Sequence, residues 1–161
     1  MSGELHPPVS TDDHARGDAG SRVVLTVFGD YECPVSARLW RVVREMRASE
    51  AFLEVFRHFP LTGVHPHAFA AAQAAEAAGD QGRFWPMHDR LFEHQESLDV
   101  ADLTAHATTL GLESERFDED LAYESFADTV REHQRWSAFA RSIYRRLGSV
   151  PPRESATASQ Q

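Results

Sequence analysis

The segment from Arg22 to Pro60 constrains the fold most strongly. Residues 22–30, "RVVLTVFGD", are rich in β-branched residues and nearly continuous in apolar ones, which predicts a buried strand of a parallel sheet. A helical pattern begins at Pro34, since proline suits the first helical position. Residues 52–61, "FLEVFRHFPL", predict a second short strand. A strand, a helix and a strand in this order predict a right-handed βαβ unit and an α/β fold.

The first helix carries an apolar stripe that we expect to pack against the sheet. Its members recur at spacings of three and four residues, which is typical of an amphipathic helix: Val35, Leu39, Val42, Val43 and Met46.

The chain after Pro60 predicts helices and no confident strand. An alanine-rich helix is expected to end at Gly79, another helix to run between Asp99 as N-cap and Gly111, and a long helix to run from about residue 126 to 147. We expect one incomplete domain over residues 22–147. It comprises a βαβ half (22–60), a helical insertion (65–133) and a helix extension (134–147). Residues 1–21 are expected to form a mobile segment and residues 148–161 a disordered tail.

Charge and cysteine content narrow the class of function. The chain has 161 residues and a formal net charge of -9, from 25 acidic and 16 basic residues. This balance disfavours partners with dense negative charge, such as nucleic acid or an anionic membrane surface. The apolar runs are too short to span a bilayer, and the first twenty residues lack a signal-peptide pattern. A single cysteine allows no intramolecular disulfide. Together with the missing signal-peptide pattern, this makes a cytoplasmic location our default prediction.

That cysteine, Cys33, lies at the predicted strand-to-helix turn. Free N–H groups and the positive dipole end at a helix N-terminus both stabilise a thiolate, whereas Asp30 and Glu32 oppose it. A buried, inert cysteine is the alternative. Ser36 follows one helical turn later. Its hydroxyl could donate a hydrogen bond to a thiolate, but it cannot attack a mixed disulfide as a second thiol would.

The histidines show no metal-ligand spacing. His65 and His67 flank Pro66, and His58, His88 and His94 lie at no recognisable interval from them. We therefore predict no metal site, and expect these histidines to start helices and to pack.

Several motifs in order resemble one family. "DDHARGDAGSRVVLTVFGDYECP", "FRHFPL", "HPHA", "AAEAAG.QG.FW.MHD.LF" and the "LGL" stretch resemble the DsbA-like thioredoxin-fold oxidoreductases, including the version fused to some sodium/proton antiporters. The resemblance runs from about residue 13 to 132. It implies a thioredoxin fold with a helical insertion. It also implies Cys33 as nucleophile, with Pro34 and Ser36 beside it, and substrate binding by Tyr31, Val150 and Pro151.

Two departures from the family matter. Ser36 stands where a dithiol enzyme has its second cysteine. The "GTPTFF-NG"-like segment that supplies a cis-proline, two strands and a last helix is not found, so most of the C-terminal β-hairpin and last helix are expected to be lacking. Val150-Pro151 could stand in for the cis-proline pair, but it comes several residues later than expected and no predicted strand follows it. We expect an exposed sheet edge beside the first strand, and hence a chain that is marginally stable or self-associates.

The sequence predicts a monothiol oxidoreductase. Cys33 would form a mixed disulfide with a protein or small-molecule partner, and an external thiol such as glutathione would resolve it, with no other cofactor. Two alternatives stay open. One is a non-redox peptide- or protein-binding module, and the other is an inactive truncated remnant of the family.

Overall fold

The predicted βαβ unit is present and is followed by a block of helices. In a computed structural model of the protein, the backbone is described for residues 7–147 and the side chains for residues 7–137. The elements in chain order are β1 (His14–Gly17), β2 (Val24–Gly29), α1 (Pro34–Met46), β3 (Leu53–His58), α2 (Ala68–Asp80), α3 (Phe84–Glu93), α4 (Val100–Thr109), α5 (Ser114–Ala122) and α6 (Ala127–Leu147). The sheet has the order β1-β3-β2, with β2 parallel to β3 and β1 antiparallel to it. The predicted α/β class is confirmed.

Strand β1 lies inside the segment that the sequence predicted to be mobile, so that prediction is wrong for residues 13–17. His14 pairs with Phe56 and Gly17 with Leu53. The strand has only four residues and no apolar run, which is why its composition resembles a loop. Contacts distant in sequence hold it in place. The Trp85 indole donates to the Ala15 carbonyl at 3.2 Å, and the Arg57 guanidinium binds the Asp13 carboxylate at 2.6 and 2.8 Å.

Helix α1 buries a different stripe from the one predicted. Ala37, Trp40 and Val43 are buried, whereas most of the predicted stripe is exposed: Val35 by 61%, Leu39 by 43%, Val42 by 50% and Met46 by 40%. Trp40 decides the orientation. Its ring stacks on Phe92, and its indole N–H donates to Asp89 Oδ1 at 2.9 Å. The helix therefore has two apolar stripes, and one is uncovered by any described residue.

Helix α2 lies at the centre of the helical block. Its alanines are almost completely buried, because small side chains let neighbouring helices approach closely. Larger apolar residues from the surrounding elements complete one core: Phe56, Phe84, Met87, Leu91, Phe92, Leu103 and Phe117. The sequence predicted that this helix ends at Gly79, which is wrong. Gly79 lies within α2, where a Cβ atom would come within 3.4 Å of His14 and Phe84. The residue with left-handed backbone after the helix is Gly82.

The predicted N-cap of α4, Asp99, is confirmed, since its side chain accepts a hydrogen bond from the Asp102 N–H.

Strand β2 lies at one edge of the sheet. Val24, its first residue, is 49% exposed, and the preceding Val23 is 60% exposed. Within residues 7–147 no strand follows β3, and none of the helices there is both long and apolar enough to cross a membrane.

Candidate functional site

The turn between β2 and α1 holds Cys33 at the start of the helix. Cys33 is the N-cap residue, with an extended backbone (φ -80°, ψ 122°), and Pro34 is the first helical residue as predicted. The Cys33 N–H donates to the Asp30 carbonyl at 3.2 Å, which closes the turn. The thiol is free and half-buried. Among residues 7–137 no side chain caps α1, so none of these side chains competes with the thiol for the N–H groups of the first turn.

Gln95 holds the outer side of this turn. Its Nε2 donates to the Tyr31 carbonyl at 2.7 Å and to the Cys33 carbonyl at 3.0 Å. One side chain thus fixes the backbone on both sides of Glu32. Gln95 was not predicted from the sequence, because it follows α3, about sixty residues away, and belongs to no recognisable motif.

The Asp30 carboxylate connects the two strand ends. Because β2 and β3 are parallel, the loops that follow them leave the same edge of the sheet. Asp30 is 3% exposed and accepts from the Glu32 N–H, the Leu61 N–H and His65 Nδ1, each at 2.8 Å. The carboxylate that the sequence placed beside Cys33 therefore binds its own turn through the Glu32 N–H and the loop after β3 through Leu61 and His65.

Glu32 is paired in the same way with His67. Its carboxylate accepts from the His67 N–H at 2.7 Å and lies 3.1 Å from His67 Nδ1. His67 is the N-cap residue of α2. The "HPH" segment thus starts a helix, as predicted, and also supplies an imidazole partner to each acidic residue near Cys33. The parallel order of the strands was the signal that could have revealed these pairs.

Ser36 and Tyr31 have roles that the sequence did not predict. The Ser36 Oγ accepts a hydrogen bond from the Asp30 N–H at 3.2 Å, so this hydroxyl helps to close the turn. Tyr31 was predicted to bind substrate, but its side chain is 1% exposed and its hydroxyl lies 3.0 Å from His88 Nδ1 in the core. Burial raises the pKa of Tyr31 and lowers that of His88, so both groups are neutral there. The side chain of Tyr31 therefore packs, and only its backbone carbonyl faces the turn. Val150 and Pro151 lie outside the described residues.

Comparison with known proteins places this geometry in a family. A family model described as thioredoxin matches residues 10–142. The chain is 48% identical over 121 residues to a protein named Na(+)/H(+) antiporter NhaA 1 from Salinispora arenicola, a match that covers 74% of this chain and 19% of that protein. The chain thus spans about a fifth of the length of the curated relatives it matches.

Solved structures share the fold at low identity. A thioredoxin-like oxidoreductase from Silicibacter pomeroyi superimposes with a TM-score of 0.68 at 24% identity, over 86% of this chain and 76% of that one. The thiol-disulfide exchange protein alpha-DsbA2 from Wolbachia pipientis gives 0.66 at 18% identity, over 86% and 72%. The predicted thioredoxin-like fold with a helical insertion is therefore confirmed. The chain belongs to the thioredoxin family and has the fold of its DsbA-like members.

Proposed function

We propose that this chain performs thiol–disulfide exchange with Cys33 as its single nucleophile. The Cys33 thiolate attacks one sulfur of a substrate disulfide, a bond forms between them, and the other substrate sulfur leaves as a thiolate. Ser36 has no sulfur with which to break this mixed disulfide. An external thiolate, such as that of glutathione, therefore attacks it and releases the Cys33 thiolate. Glutathione is the abundant thiol of the cytoplasm, the location predicted from the sequence.

The position of Cys33 at the uncapped start of α1 carries this proposal. The thiol is half-buried at the N-cap of a 13-residue helix, where no side chain in the described part of the protein accepts from the first-turn N–H groups. A thiolate there can accept those hydrogen bonds and gains from the helix dipole. The negative charges of Asp30 and Glu32, which would oppose the thiolate, each have an imidazole partner.

Mass spectrometry after incubation with glutathione disulfide tests the first step. We expect one glutathione per chain at Cys33, removed again by excess reduced glutathione, and no adduct in the Cys33→Ala variant. Absence of the adduct in the folded wild-type chain would overturn the proposal. Equal turnover of a glutathionylated peptide by wild type and Cys33→Ala would do the same.

A second cysteine at position 36 tests whether the scaffold supports dithiol chemistry. Residues three apart lie one turn apart on a helix, so Ser36→Cys should form an internal disulfide and lose two thiols on oxidation. Ser36→Ala is the matched control. It removes the same hydroxyl, should keep the glutathione adduct, and should form no internal bond.

Exposed apolar surface supports self-association as a further part of the proposal. The uncovered stripe of α1 lies in the same βαβ unit as the exposed Val24 on edge strand β2. Unpaired strand edges and apolar patches favour association. Leu39→Lys should therefore lower the mass measured by sedimentation at high concentration. Val100→Lys, at an exposed valine on α4, should leave it unchanged. A wild-type chain that stays monomeric at all concentrations would refute this part.

The same stripe supports the alternative of a non-redox binding module. Val35 is 61% exposed and lies two residues from Cys33, so a peptide could bind there without chemistry. Partner capture that is insensitive to reductant and to Cys33→Ser, but lost in Leu39→Lys, would favour this alternative over exchange.

A further inference from the structure

Three potential metal ligands converge where the start of β1 lies beside the end of β3. His14 lies on β1, His58 ends β3 and Glu76 lies on α2. His14 Nε2 is 3.0 and 2.9 Å from the two Glu76 carboxylate oxygens, and His58 Nε2 is 2.7 Å from Oε1. One ligand atom from each of the three residues lies within 4.8 Å of the other two. None of these contacts involves Cys33 or its turn.

The charge balance of this cluster differs from that at the buried carboxylates of Glu54 and Asp13. The Glu54 carboxylate pairs with Arg16 and Arg47, and the Asp13 carboxylate pairs with Arg57. Among the described residues, the hydrogen bonds to the Glu76 carboxylate come from two imidazoles, which are cations only when protonated. The Glu76 side chain is only 8% exposed. A buried anion without a permanent cation is costly, so a cation at this point would be stabilising.

We propose that His14, His58 and Glu76 form a binding site for a divalent metal ion of the zinc class, with a fourth position open to water or an outside ligand. Two imidazoles and one carboxylate are the donor set that zinc accepts in sites with an open position. Bonds of about 2.0–2.2 Å in a tetrahedral arrangement place donor atoms roughly 3.3 Å apart. The present hydrogen-bonded N–O distances of 2.7 to 3.0 Å would therefore widen by about half an ångström.

Packing around the cluster holds the ligands in place and leaves one access route. The His14 ring stacks on Phe84 with centroids 3.4 Å apart, and Gly79 leaves room for its edge. The His58 ring is buried, whereas the His14 side chain is 22% exposed, so an ion reaches the cluster from the side of β1. Bound metal would tie β1 to β3 and α2, and would stabilise the folded chain by mass action.

Metal binding to the full, tag-free chain tests the proposal. After removal of metal with a chelator, zinc is added and bound metal is measured by equilibrium dialysis. Cobalt(II) then probes the ligands by absorption. We expect one equivalent of zinc, a raised thermal midpoint, and a tetrahedral cobalt spectrum without a thiolate charge-transfer band. Removing a residue that only supports a metal ligand lowers metal affinity by about tenfold to a hundredfold. His14→Gln removes a ligand itself, so it should weaken zinc binding by at least about tenfold.

Two matched controls test a surface histidine and the thiol as other sources of metal ligands. His67→Gln removes a surface histidine that also pairs with a carboxylate, and Cys33→Ser removes the thiol. Both variants should bind zinc as the wild type does. Less than one equivalent bound by the wild type, binding unchanged in His14→Gln, or binding lost in Cys33→Ser would each overturn the proposal. If circular dichroism shows that the His14→Gln variant is unfolded, the zinc stoichiometry of the wild type and zinc binding by Cys33→Ser still decide the proposal.

Discussion

The Asp13→Asn substitution should destabilise the protein strongly, although Asp13 lies in a segment whose composition predicts mobility. The Asp13 and Arg57 side chains are 2% and 1% exposed, and Arg57 Nε and Nη2 lie 2.6 and 2.8 Å from the carboxylate oxygens. Arg57 also donates to the carbonyls of Pro7 and Pro8 and lies 4.7 Å over the Trp136 ring. Without the carboxylate, a buried guanidinium keeps only neutral partners.

Breaking a buried ion pair from one side costs about 3–5 kcal/mol, because the remaining charge is buried and uncompensated. That is a large share of the roughly 5–15 kcal/mol that stabilises a typical domain. Urea unfolding followed by circular dichroism at neutral pH, with chelator present, measures the change. Asp12→Asn is the control. It removes the same charge one residue earlier at an exposed position, and should change the free energy of unfolding by less than about 0.5 kcal/mol.

A mobile segment would give no change for either variant. A loss below about 1 kcal/mol in Asp13→Asn would therefore refute the docking of residues 13–17 as described. The double variant Asp13→Leu/Arg57→Met supplies a second test. Replacing both partners by apolar groups leaves no buried charge, so this variant should be more stable than Asp13→Asn alone.

Three further predictions concern the turn and the core below it. Gly29→Ala should cost about 1–3 kcal/mol by urea unfolding, because the added Cβ would lie 2.5 Å from Phe56 Cε2; an unchanged midpoint would contradict this packing. The free energy of unfolding should fall as the pH drops below about 6.5. Burial lowers the pKa of His88 in the folded chain, so below that pH the unfolded chain binds a proton that the folded chain does not. The slope of stability against pH should be smaller in His88→Gln, and an equal slope would show that His88 does not contribute. Gln95→Met should slow glutathione-adduct formation at Cys33 while the chain stays folded, because both carbonyl contacts at the turn are lost; an unchanged rate would show that Gln95 does not position Cys33.

The central βαβ unit and the place of Cys33 could be predicted because their signals are local. A run of β-branched residues predicts a strand wherever it packs, and Pro34 predicts a helix start from its own backbone geometry. The acidic residues of the turn were also visible in the sequence. Their histidine partners were visible too, and the pairs could have been inferred from the predicted parallel order of the two strands, which brings the following loops together.

The orientation of α1 could not be predicted, because the helix has two apolar stripes. The stripe through Leu39 has the better helical spacing, but the stripe through Trp40 is the buried one. The choice depends on Phe92 and Asp89, which lie on α3 about fifty residues later.

By itself, then, the sequence determined the strand–helix–strand unit, the alanine-rich helical block and a cysteine at a helix start, since each follows from neighbouring residues. Only the tertiary structure decided that residues 14–17 form a strand, which stripe of α1 is buried, and that His14, His58 and Glu76 meet. The physical reason is the same in each case. These features depend on contacts between residues distant in sequence, and such contacts are settled by packing and charge pairing, which leave no periodic pattern in the chain.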